Sequence, residues 1–148
     1  MSGLFLADLP YYRLVFGQTE PRVMEKSGTA TIHPADSQQY DPIIVRTDDD
    51  NQCFIIENRR SEGDASQYEG VNIWRIDKVG AEAIFNQARR GISLDAVLSR
   101  PGDTMQLNYY ANSADINDVN ETYAGVNVTV LSVNADGTIT IDIESDHA

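Results

Sequence analysis

A single cysteine, Cys53, is present, so no intrachain disulfide can brace the fold. Its setting in an apolar run reads as a buried, inert thiol, because a reactive one needs polar, electropositive surroundings. Histidine is almost as scarce. His33 and His147 are far apart in the chain, with no Glu at the spacing of a His-Glu-x-x-His zinc helix. No zinc is expected. Basic residues number 11 against 23 acidic ones, a formal net charge of −12, which argues against nucleic acid and anionic bilayers as partners. Such a surface suits solubility, cation binding and basic partners. No stretch approaches the roughly 18 to 20 apolar residues of a membrane helix, and Met1 to Ala7 lacks the basic region and long apolar core of a signal peptide. A soluble chain without membrane insertion is expected. A nucleophile elbow, a Gly-rich phosphate loop, Cys-x-x-Cys and a fixed-period repeat are also missing. These absences predict a non-enzyme, although carboxylates are plentiful and a glycosidase-type pair is a matter of tertiary distance.

What is present reads as mainly β. At 148 residues the chain fits one domain, 1–148, long enough to bury a core without staples. The organising stretch is Cys53 to Lys78. In it two apolar runs, Cys53 to Ile56 and Val71 to Ile76, flank a polar connection holding Glu57, Asn58, Arg59, Gly63, Asp64 and Gly70. Apolar residues at adjacent positions predict central strands covered on both faces. Thr29 to Ile32 and Ile43 to Val45 predict two further strands, and Thr104 to Tyr110 a half-buried one with Met105, Leu107 and Tyr109 on one face. Val126 to Val133 and Thr138 to Ile143 flank Asn134-Ala135-Asp136-Gly137 as a hairpin. Ile139, Ile141 and Ile143 are expected inward, with Thr138, Thr140 and Asp142 toward water. The phase change at Leu131 predicts a bulge or burial on both faces. Asp77 can cap a helix from Lys78 to Arg90, stopped by Gly91, and Ser93 a second turn through Leu98. The expected architecture is therefore β-sandwich-like, with antiparallel or mixed sheets and one short helical insert at about 78–99. Gly91 to Asp95 as a strand is the competing reading of that insert.

Two acidic loops are candidate calcium sites, since Ca²⁺ gathers carboxylate and carbonyl oxygens. One is Asp48, Asp49 and Asp50; the other is Asp115, Asn117, Asp118 and Glu121. Neither has EF-hand spacing, and a solvated loop is the competing reading of each.

The central stretch resembles a segment of the secreted zinc metalloproteases of the immune inhibitor A type. Glu57, Asn58, Arg59, Asp64, Gly70, Ile73, Trp74, Ile76 and Asp77 fit the family pattern, while Arg75 stands where the family usually has His. Tyr12 to Pro21, Ser27 to Ile32, Pro101-Gly102 and the last two strands resemble its flanking parts more weakly. The resemblance implies the family's non-catalytic β-rich half, the His-Glu-x-x-His part being absent, and an extracellular setting. On this reading Glu57, Asn58, Arg59, Asp64, Trp74, Arg75 and Asp77 form a structural network, with Glu57 and Arg59 pairing with each other, with Arg75 or Asp77, or with loop backbone. The first functional expectation is a non-catalytic module that binds a protein or surface partner, with structural calcium as its candidate ion. The alternatives are a metalloprotease subunit whose catalytic half is on another chain, and a self-assembling structural subunit.

Overall fold

Strands form where β-branched residues alternate or run together. The computed structural model describes residues 22–24, 26–60, 68–79, 91–115 and 117–146. Among these are β1 (Arg22–Val23), β2 (Gly28–Ile32), β3 (Ile43–Arg46), β4 (Gln52–Arg59) and β5 (Gly70–Asp77), followed by β6 (Ile92–Leu98), β7 (Thr104–Tyr110), β8 (Glu121–Val133) and β9 (Ile139–Ser145). One sheet has the order β1-β3-β4-β5-β6 and the other β2-β9-β8-β7. Only β1 with β3 pairs parallel; the other neighbours are antiparallel. The fold is mainly β and sandwich-like, as the strand patterning predicts.

The core lies between the sheets. Phe54 and Ile56 of β4, Val71 and Ile73 of β5 and Ile43 and Val45 of β3 pack with Ile141 and Ile143 of β9, Val126 and Val128 of β8 and Leu107 of β7. Each such side chain contributes about 1.5–3 kcal/mol when fully buried. The outer face of β4 and β5 is buried too, with Cys53, Ile55, Trp74 and Ile76 in a second apolar cluster beside Ile44, Ile92 and Leu94. That double burial is why these two strands carry apolar residues at consecutive positions.

Three expectations change. The helical insert is not helical at its C-terminal part: Ile92 to Leu98 is the strand β6, paired with β5. A register shift between Ile73 and Trp74 leaves Asp95 as the extra residue of β6. Side chains before and after it therefore change parity, with Ile92 and Leu94 on the outer cluster and Ala96 and Leu98 on the inner one. Strict alternation is broken, and the run imitates a helical stripe. Lys78 and Val79 are helical; 80–90 lies outside the described residues. A second shift, between Gln106 and Asn108, accompanies the next change: Met105, Leu107 and Tyr109 pack on the inner core as expected, but Tyr110, expected on the opposite face, is buried as well. Finally, Thr138 is buried rather than solvent-facing, because Asp136 Oδ1 accepts from both its N–H and its hydroxyl, at 3.0 and 2.6 Å. Those bonds hold the Asp136 carboxyl below the usual carboxylate range. The hairpin before β9, with Gly137 at φ +90°, forms as expected, and the register shift between Val130 and Ser132 supplies the bulge.

Candidate functional site

Period-two alternation sorts the charged residues of β4 and β5 onto opposite faces. Cys53, Ile55, Glu57 and Arg59 point outward. Phe54, Ile56 and Asn58 point inward, as do their register partners Arg75, Ile73 and Val71. The six described members of the network expected from the motif are thus divided by the sheet, Glu57, Arg59 and Trp74 on one face and Asn58, Arg75 and Asp77 on the other.

On the outer face Glu57 has no exposure. Its Oε1 accepts from the Tyr40 hydroxyl at 2.5 Å, and its Oε2 from Arg59 Nε at 2.5 Å and Trp74 Nε1 at 2.8 Å. Trp74 reaches it diagonally across the strand pair, since Glu57 registers with Asn72 and Ile55 with Trp74. Glu57 and Arg59 pair with each other as expected; Tyr40, seventeen residues upstream in the chain, gave no local signal. Cys53 shares this face, and burial pushes its thiol pKa up against the pull of Lys78 and Arg46. Such a thiol is inert.

On the inner face, at the end of the sandwich away from the β4–β5 loop, Arg75 bridges the two sheets. Its Nε donates to Asp95 at 2.7 Å, its Nη2 pairs with Glu121 at 2.6 Å, and its Cζ lies 4.9 Å from the Tyr110 ring centre. The bulge in β6 aims Asp95 at this guanidinium. Burial raises the Asp95 pKa against the pull of Arg75 and Ser93. Gln52 closes the same end: its Nε2 donates to Tyr110 O at 2.9 Å and its Oε1 accepts from Tyr110 N at 2.8 Å. Asp77, register partner of Gln52, is buried here and apart from Glu57 and Arg59.

At the opposite end the inward faces turn polar. Asn58 Nδ2 donates to Ile32 O at 3.0 Å and Gly137 O at 2.8 Å, fastening β4 to the second sheet and to the β8–β9 hairpin. Its Oδ1 is buried and accepts no hydrogen bond. Arg60 and Glu69 follow where β4 and β5 part. A cavity of about 370 Å³ opens between them and the hairpin, lined also by Ser99, Val133, Asn134 and Ile139. Arg60 lies against Gly137: a Cβ there would stand 2.5 Å from Arg60 Nη1. Sequence reasoning stopped at Arg59 and missed Arg60, Glu69 and Gly137. Extending the β4 and β5 parity past the apolar runs points to the first two.

The calcium candidates are otherwise engaged. Asp49 caps its turn, accepting from Asn51 N at 2.9 Å and Gln52 Nε2 at 2.8 Å; Asp48 and Asp50 lie in the same turn. Asp115 and Asp118 accept from Asn117 N and Asn120 N, each at 3.0 Å, and Glu121 goes to Arg75. Among the described residues no three His, Cys, Asp or Glu side chains converge as a metal-ligand group. Asp64 lies outside the described residues. No helix among them is long and apolar enough to cross a membrane. Comparison of the chain with protein-family models, with curated proteins and with solved structures gives no match.

Proposed function

We propose that this chain is a non-catalytic β-sandwich module that binds its partner at the polar end of the sandwich, where β4, β5 and the β8–β9 hairpin enclose the cavity. The observation that carries the reading is the complete burial of Glu57 under three donors. A carboxylate so occupied cannot reach a substrate or activate water, since a general base must stand within hydrogen-bond reach of the proton it removes. Arg75 and Asp95 are likewise turned on each other. The likeness of Glu57-Asn58-Arg59 and Gly70 to Asp77 to the non-catalytic half of immune inhibitor A-type proteases supports the same view, with an extracellular setting. Ligand sites are concave and combine apolar wall with placed polar groups, and the end cavity sets Val133, Ala135 and Ile139 beside a larger polar set that includes Asn58, Arg60, Glu69 and Asn134.

The test is a fragment titration of the ¹⁵N-labelled full chain with small carboxylates, amines and neutral amides. Amide shifts clustered at Arg60, Ser99, Asn134, Ala135 and Gly137 are expected. Shifts absent from that end, or zinc-dependent peptide hydrolysis by the purified chain, overturn the reading. A discrete higher mass with the cavity unresponsive favours the self-assembling alternative instead.

A further inference from the structure

We infer that the end cavity takes an apolar α-amino acid carrying its carboxylate, either free or as the C-terminal residue of a peptide; this rests on the binding reading above. Arg60 and Glu69 continue the inward faces of β4 and β5 beyond the register pair Arg59 and Gly70, and these opposite charges line one cavity. Among the described residues neither makes an ion pair. A guanidinium in that position presents a planar fork of donors that fits a carboxylate. Glu69 accepts from the nitrogen on the same α-carbon, whether ammonium or amide N–H. Val133, Ala135 and Ile139 line the remaining wall and receive an apolar side chain.

Gly137 and Asn58 make the geometry specific. With no Cβ at residue 137, Arg60 rests on the turn, and any larger residue would displace it. Asn58 fixes that turn through the Gly137 carbonyl. The Arg60 side chain thus lies against a turn whose backbone Asn58 anchors. A volume of about 370 Å³ is at the small end of ligand sites. One residue and its carboxylate suit it better than an extended peptide.

The experiment uses the full chain with N-acetyl-leucine, N-acetyl-leucine amide and free leucine, then with a pentapeptide ending in leucine as free acid and as amide. Amide shifts at Ser99, Asn134, Ala135 and Gly137 give the affinities. The acids are expected to bind at least about tenfold tighter than the matching amides, about 1.4 kcal/mol. R60Q is expected to remove that preference, and R60K to retain part of it with the melting temperature unchanged. Tighter binding of free leucine than of the pentapeptide acid assigns the free amino acid, and the reverse assigns the peptide terminus. Equal binding of acid and amide, or an acid preference that survives R60Q, overturns the inference. If neutral fragments shift the cavity and no carboxylate does, the inference fails while the binding module stands. If no probe of any class shifts it, both fail.

Discussion

Replacing Glu57 by alanine should be among the most destabilising single changes in this chain. The carboxylate has no exposure and holds Tyr40, Arg59 and Trp74. Breaking a buried ion pair by removing one partner costs about 3–5 kcal/mol, and each orphaned buried donor about 1–3 kcal/mol. The terms overlap, because a released side chain relaxes and water enters, so about 4–6 kcal/mol is expected for E57A. Domains of this size have about 5–15 kcal/mol in total. E57A should therefore unfold at much lower urea or fail to accumulate folded. The graded series keeps the test informative: E57Q, of equal volume, should lose about 2–3 kcal/mol, and Y40F, which removes one bond to a charged acceptor, about 1.5–3 kcal/mol. Urea unfolding followed by Trp74 fluorescence reads all three. An E57A loss under about 1 kcal/mol, the range of ordinary surface changes, refutes the reasoning.

Further outcomes follow from the same geometry. Cys53 should resist a thiol reagent in the native chain and react at once in urea, since burial raises its pKa; rapid native labelling contradicts this. Burial also raises the Asp95 pKa, so its contribution to stability is complete below the ordinary value of about 3.9 and is lost as pH rises through the raised value. Wild-type stability minus that of D95N should accordingly fall with rising pH across that window, and a difference that grows counts against the assignment. G137A, at φ +90° and against Arg60, should lose about 1–3 kcal/mol by denaturant unfolding; an unchanged midpoint sinks the argument for that turn. Millimolar Ca²⁺ should move the melting temperature no more than Mg²⁺, because Asp49, Asp115 and Asp118 serve their own turns and Glu121 serves Arg75. A calcium-selective rise would restore a site there.

The central strands were legible because burial on both faces leaves consecutive apolar residues, as at Phe54-Ile55-Ile56 and Ile73-Trp74. The closing hairpin was legible because Asn134 to Gly137 is a short polar loop between two β-branched runs, ending in a Gly that takes positive φ. The strand β6 was not, since its bulge at Asp95 shifts parity inside seven residues, and a broken period of two resembles a helical stripe. Of the site, Glu57 with Arg59 could be paired from parity alone. Tyr40 and Asp95 could not, because their meetings with Glu57 and Arg75 are set by tertiary packing. Spacing in the chain also grouped Arg75 and Asp77 with Glu57, whereas the sheet holds them on its other face. Arg60 and Glu69 were within reach of the same alternation, one step past the apolar run. Gly137 was read for its turn, and its second role needs the guanidinium that lies on it.

Separating stability from binding tests the account most directly. Melting temperature and N-acetyl-leucine affinity should be measured side by side on wild type, E57Q and R60Q, the affinity at a temperature where all three are folded. E57Q should melt about 4–12 °C lower, at about 2–4 °C per kcal/mol, with its folded-state affinity unchanged. R60Q should melt as wild type does and bind at least about tenfold more weakly. An E57Q chain that is folded yet cannot bind, or an R60Q chain that binds normally, would contradict the division of labour between the buried carboxylate and the cavity.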